Sequence, residues 1–290
     1  MDRPNDGWFA GQPKYQHAQR FSGVASLLAH LRPGIGLNLG YSDMTAAPRE
    51  VNERHGVGEV NEISEVPAAL ELQDVLSTQL IDLVIAELSR GWSLPGKRVL
   101  DVASGAGVGS RALAAAGARA IPVDRMCYPG STASLQASAL ELPVRTSWCD
   151  AAISVESASH LADRDAFFAE VSRCLRPKAR FVLADIVPDR DYQKVQEQLA
   201  RAGLVPVEIH DVTLGVVRAL ELRRQAFGHN GDLANFVAAH VSTQELAAWN
   251  IDLASLAVEA KLHRANRRML ERKTLHYLII SCTRTTAGAD

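Results

Sequence analysis

The twelve residues Val99-Leu-Asp-Val-Ala-Ser-Gly-Ala-Gly-Val-Gly-Ser110 constrain this chain more than any other stretch. An apolar run enters a turn carrying Gly105, Gly107 and Gly109, and Arg111-Ala-Leu-Ala-Ala-Ala116 behind it reads as a helix. Glycine lets the backbone turn sharply and approach a ligand closely, while a helix start presents free N–H groups and a partial positive charge. Such a strand–loop–helix order builds a nucleotide cradle, although a tight structural turn makes the same demand on glycine. A second short run, Arg119-Ala-Ile-Pro-Val123, ends at Asp124, which follows Asp101 by 23 residues. That spacing suits two parallel strands flanking one crossover helix and puts a carboxylate where it can accept from both hydroxyls of a ribose. The loop lacks the Gly-Lys-Ser/Thr of a P-loop, and no nearby residue clearly neutralises a pyrophosphate, so an adenosine-type ligand without phosphates fits best.

The 290 residues, 47% of them hydrophobic, suffice for one large core with an attached lobe. A formal charge of −2 argues against a polyanion-binding role, so no nucleic-acid partner is expected. No apolar stretch approaches the roughly 20 residues that cross a bilayer, and the opening Met-Asp-Arg-Pro-Asn-Asp-Gly has no apolar signal region. A soluble, cytoplasmic protein is expected. Cys127, Cys149, Cys174 and Cys282 form no Cys-x-x-Cys pair, and the histidines are scattered without ligand spacing, so no metal site is expected. Cys174 and Cys282 sit in apolar runs and read as packing residues.

Four segments follow from the patterning. Residues 1–65 form an N-terminal arm with an amphipathic piece around Phe21 to Leu31. Residues 66–213 form a Rossmann-like core, opened by a helix over Leu70 to Leu88. Its later pieces are strands at 98–102, 119–123, 133–137 (weak), 151–156, 180–186 and 205–211, with helices at 109–117, 163–175 and 191–202. Residues 214–273 read as helix broken at Gly228-His-Asn-Gly231 and near Ser242-Thr243. Residues 274–290 hold the last strand, His276 to Cys282, and a tail. This alternation implies an α/β fold, a doubly wound, mostly parallel sheet with helices on both faces and an antiparallel last strand.

With Val99 to Gly107, Pro122-Val-Asp124 and Phe181-Val-Leu-Ala-Asp-Ile186 after Cys174-Leu-Arg-Pro-Lys178, the chain resembles the class I S-adenosylmethionine-dependent methyltransferases. Asn38-Leu-Gly-Tyr41 and Val155-Glu-Ser-Ala-Ser-His160 look like the branch acting on small molecules: sterols, tocopherols and natural products. The resemblance runs from about residue 36 to residue 284 and implies methyl transfer to an O, N or C nucleophile of a small, partly apolar molecule. It implies S-adenosylmethionine as cofactor, held by Gly105, Gly107 and Asp124, with Ala103, Ser104, Arg125, Ser138 and Ala139 in contact. It also implies that the helical block 214–273 is a substrate lid. Three departures from the family pattern stand out. Ala103 replaces a usual glycine, Ser138 stands where an acidic residue usually meets the adenine amino group, and Arg125 to Ser131, broken by Pro129 and Gly130, is too short for a crossover helix. A same-fold cyclase or isomerase and a non-catalytic interaction subunit therefore stay open as alternatives, as does the oligomeric state, with a homodimer among its outcomes.

His160 is the first candidate for a catalytic base: it follows a strand whose C-terminal end faces the ligand crevice, and imidazole titrates near neutrality. It could equally cap the helix opened by Asp163. Glu156 either orients substrate or accepts backbone N–H bonds. Tyr41 either closes over the substrate or pins the arm to the core. His210-Asp211 ends a strand and reads as a structural pair. Lys261, Arg264, Arg267, Arg268 and Arg272 share one helix face, which a solvated surface explains.

Overall fold

The computed structural model describes residues 31–32, 38–42, 66–126, 128, 134–226, 240–248 and 265–285. Cys127, Lys261 and Arg264, the break at 228–231 and most of the arm lie outside that set. Helix α1 (Val66–Ser89) leads into β1 (Arg98–Val102), α2 (Val108–Ala115), β2 (Arg119–Asp124), β3 (Leu135–Gln136) and β4 (Cys149–Val155). A single 3-10 turn at Ala158–His160 precedes α3 (Arg164–Cys174), β5 (Leu175–Pro188), α4 (Tyr192–Arg201) and β6 (Leu204–Asp211). The chain continues through α5 (Thr213–Ala226) and α6 (Thr243–Ala248) to β7 (Leu275–Arg284).

The strands form one seven-stranded sheet in the order β3-β2-β1-β4-β5-β7-β6. All neighbours are parallel except β7, which runs antiparallel to both β5 and β6. Because the chain runs outward from β1 to β2 and β3 on one side and returns to β4 and β5 on the other, the carboxyl ends of β1 and β4 flank a topological switch point. Strands buried on both faces read as continuous apolar runs. Ala151, Ala152 and Ile153 on β4 and Phe181 to Ala184 on β5 are accordingly buried at the sheet centre.

Helix α1 buries Leu72, Leu76, Leu80, Val84 and Leu88, a ridge at four-residue spacing that lies on one helical face. Each such side chain contributes about 1.5–3 kcal/mol by leaving water. Asp163 rather than His160 caps α3, its carboxylate accepting from the Ala166 amide at 2.8 Å. The predicted break near Ser242 is a reciprocal cap: Glu245 accepts from the Ser242 amide, and the Ser242 hydroxyl accepts from the Glu245 amide. Strand β5 starts at Leu175 instead of near residue 180. The β4–β5 register shifts between Cys149 and Ala151, which absorbs Pro177 and the left-handed Lys178. Cys149, Cys174 and Cys282 are buried free thiols, as packing residues should be.

Residues 38–42 of the arm are tied to the core from several sides. The Tyr41 amide donates to the Leu76 carbonyl on α1 and the Ser42 amide to the Gly215 carbonyl on α5. The Tyr41 ring lies on Gly215 so closely that a Cβ there would sit 2.0 Å from the ring. Gly215→Ala should therefore cost about 1–3 kcal/mol in urea unfolding, because either ring or helix must move. The same substitution made in a Tyr41→Ala background should cost less than 1 kcal/mol.

Candidate active site

The turn after β1 passes through three left-handed residues, Ala103 (φ 58°), Gly105 (φ 53°) and Gly107 (φ 80°). Glycine takes this conformation freely, whereas at Ala103 it costs about 1–2 kcal/mol. A Cβ on Gly109 would lie 3.0 Å from the Asp101 carboxylate and 3.2 Å from Ile153, so glycine here lets α2 start close to the sheet. The Ser110 hydroxyl then donates to Asp101 at 2.7 Å and ties helix to strand.

Asp124, at the end of β2, holds the loop in place. Its Oδ2 accepts from the Gly105 amide and its Oδ1 from the Met126 amide, both at 2.8 Å. An ionised carboxylate offers about four acceptor positions, so each oxygen can still accept from a ligand hydroxyl. Beside it the Ser104 hydroxyl is buried and has no hydrogen-bond partner among the described residues. A buried unmet hydroxyl costs about 1–3 kcal/mol, which a ligand's polar group would relieve.

These groups open onto a cleft of about 920 Å³ at the carboxyl ends of β1, β2, β4 and β5. Ala103, Ser104, Gly105, Asp124, Arg125, Ser138, Ala139, Glu156 and His160 all line it. Gly107 shapes the turn from behind, and Tyr41 packs on Gly215 outside the lining. Ser138 is exposed, and its hydroxyl accepts from the Leu140 amide at 3.1 Å. Between β2 and β3 the described residues contain no helix. His210 and Asp211 stand away from the cleft, His210 against Glu87 and Glu208 and Asp211 against His276.

At the far side of the cleft Glu156 takes a left-handed backbone (φ 52°) just beyond β4. Its Oε1 accepts from the Leu39 amide at 2.8 Å and from the Tyr277 hydroxyl at 2.9 Å, joining arm, β4 and β7 at one atom. Asn38 is held in turn: its carbonyl accepts from Gln73 on α1 and from Arg223 on α5. Asp185, at the edge of the cleft on β5, accepts from the amides of Ser159 and Ile186. Asn38, Leu39, Asp101 and Asp185, which fall inside the quoted motifs without a site role of their own, and Asn266 also line the cleft. Asp101 and Asp185 carry a local signal, each being an acidic residue within an apolar strand. His160 closes the 3-10 turn at the exposed rim.

Burial pushes the Glu156 carboxyl up to about 7, against the hydrogen bonds from Leu39 and Tyr277, and Asp185 adds to the rise. Burial likewise raises Asp101 and Asp185 to about 6. At neutral pH the cleft therefore holds carboxyls poised to exchange protons.

Residues 100–183 match the family described as Methyltransferase domain. The Probable phthiotriol/phenolphthiotriol dimycocerosates methyltransferase 2 of Mycobacterium ulcerans (strain Agy99) is 33% identical over 143 residues, 44% of this chain and 55% of that protein. An O-methyltransferase of Pyrenophora dematioidea is 31% identical over 129 residues, 39% of this chain and 48% of that protein. The chain thus spans about half the length of the curated relatives it matches. Among solved structures, the geranyl diphosphate C-methyltransferase of Streptomyces coelicolor A3(2) superposes with a TM-score of 0.63 at 15% identity, covering 95% of this chain and 99% of that one. The cyclase SpnF superposes with a TM-score of 0.64 at 16% identity, covering 99% and 98%. The chain therefore shares the Rossmann-like fold of these structures, a seven-stranded sheet with its last strand antiparallel.

The raised carboxyls make a pH prediction. A group whose folded value lies above its unfolded one binds its proton more tightly when folded, so stability falls as pH rises between the two. For Glu156 that window runs from its ordinary 4.5 to about 7. Glu156→Gln, which cannot ionise, should lose less stability than the unchanged protein between pH 4.5 and pH 8, as read by urea midpoints at both.

Proposed function

We propose that this protein transfers a methyl group from S-adenosylmethionine to a nucleophilic atom of a small, partly apolar molecule, as in specialised metabolism. The observation that carries the reading is the pairing, across one glycine turn, of a backbone-held Asp124 carboxylate with the unmet Ser104 hydroxyl. When bound, the cofactor supplies an electrophilic methyl group on a sulfonium. Asp124 would accept from the ribose hydroxyls, Ser104 and Gly105 would meet the amino-acid end, and Arg125, Ser138 and Ala139 would border the adenine. The names of the relatives, an O-methyltransferase among them, and the cofactor complexes among the structural neighbours support the assignment.

Methyl transfer is an in-line displacement, so the protein's main work is alignment and exclusion of water. Asn38 and Leu39 wall the cleft on the acceptor side, and residues 214–273 are proposed as the lid. Where the acceptor must lose a proton, Glu156 takes it, because its carboxyl is enclosed, faces the cleft and titrates near neutrality. His160, at the exposed rim, shapes access. A second reading is a same-fold cyclase. The methyl of Ala103 narrows the turn where the family usually has glycine, and the likeness to SpnF covers nearly the whole chain.

Calorimetric titration with S-adenosylhomocysteine tests the cofactor site. We expect binding well below millimolar, and Asp124→Ala should weaken it by about 10² or more, as loss of two charge-assisted hydrogen bonds requires. An unchanged affinity in Asp124→Ala would sink the ribose assignment. Incubation with methyl-labelled cofactor and a panel of small phenols, enols and amines then separates the two readings: label enters product only in a methyltransferase. In that assay Glu156→Gln should lower turnover about 10²- to 10⁴-fold, and His160→Ala less than tenfold.

A further inference from the structure

Glu156 lies in a left-handed conformation with its amide donating to the Ala184 carbonyl, which fixes where the side chain leaves the backbone. One carboxylate oxygen, Oε1, is claimed twice: by the Leu39 amide from the arm and by the Tyr277 hydroxyl from the last strand. The other, Oε2, accepts from no described residue, and Glu156 lines the cleft. Tyr277 is fully buried in the core, so its phenol has no water to turn to and its one polar atom is committed to Glu156. Two donors converging on one oxygen from opposite ends of the chain leave the second oxygen as the one presented to an acceptor molecule.

We propose that Tyr277 is a positioning residue, whose hydroxyl locks Glu156 Oε1 and thereby turns Oε2 toward the acceptor and sets when that carboxyl gives up its proton. This rests on the reading of Glu156 as proton acceptor. The hydrogen bond favours the ionised form, as does Arg223 on α5, while burial and Asp185 on β5 oppose it. Tyr277 itself is held neutral, its phenol pushed well up by burial and by Glu156, so it remains a donor throughout the working range. Removing the hydroxyl alone leaves the ring, the packing and both neighbouring charges in place. Glu156 would then bind its proton more tightly and rotate about a single remaining donor.

The test is Tyr277→Phe in the full chain, with 13C-labelled glutamate carboxyls followed by NMR against pH and the Glu156 signal assigned by its loss in Glu156→Gln. We expect the Glu156 titration midpoint to move up by about one pH unit, the equivalent of one hydrogen bond to a charged group, with S-adenosylhomocysteine affinity unchanged. Turnover of the best panel acceptor should fall about fivefold at pH 7 and recover by pH 9, because the acid limb of kcat/KM moves with the midpoint. An unmoved NMR midpoint overturns the proposal and leaves Tyr277 a packing residue. A moved midpoint with an unmoved acid limb upholds the hold of Tyr277 on Glu156 and refutes instead the assignment of Glu156 as proton acceptor. A melting temperature for each variant separates either outcome from simple unfolding.

Discussion

The glycine-turn half of the cleft hangs on one carboxylate accepting two backbone amides. Asp124 gathers the Gly105 and Met126 N–H groups, so the loop after β1 and the exit from β2 are set against each other through a single side chain. Loops cannot bury their amides without partners, and neither of these N–H groups lies within a regular element. The same economy recurs at Asp101, which fastens α2 through Ser110, and at Asp185, which fastens the 3-10 turn through Ser159. Acidic side chains at strand ends thus do structural work first, and keep unspent lone pairs for a ligand.

The acceptor half is organised differently. There Glu156 is enclosed and exchanges its proton near neutrality, and its two donors come from the arm and from the last strand of the sheet. One half of the cleft offers fixed charge and backbone geometry for recognition, and the other offers a proton-exchanging group. In the proposed reaction the first half would hold the cofactor and the second would meet the acceptor.

What could be read from the residues alone follows from range. Strands β1, β2, β4, β5, β6 and β7 and helices α1 to α4 declare themselves because apolar periodicity is local, and the glycine loop and Asp124 because motif spacing is. Tyr41 illustrates the limit: whether it faces substrate or pins the arm depends on Gly215, far along the chain, which leaves room for the ring. The same holds for Leu39 and Tyr277, apolar and aromatic residues with no local sign that they meet on Glu156. The left-handed turn at Ala103 is signalled only by the resemblance, which puts glycine there, because alanine itself carries no local sign of that backbone.

The meeting of Leu39 and Tyr277 on one oxygen has a temporal consequence. A nascent chain can pair residues 38–41 with Gln73 and Leu76 on α1 early, but that segment gains its remaining partners only when α5 supplies Gly215 and Arg223 and β7 brings Tyr277 to Glu156. Contacts so distant in sequence form late, because closing a long loop costs entropy before any contact repays it. The Glu156 side of the cleft is therefore completed last, when Leu39 and Tyr277 meet on one oxygen. A ribosome-bound chain would hold a recognisable nucleoside cradle well before it owned a reaction chamber.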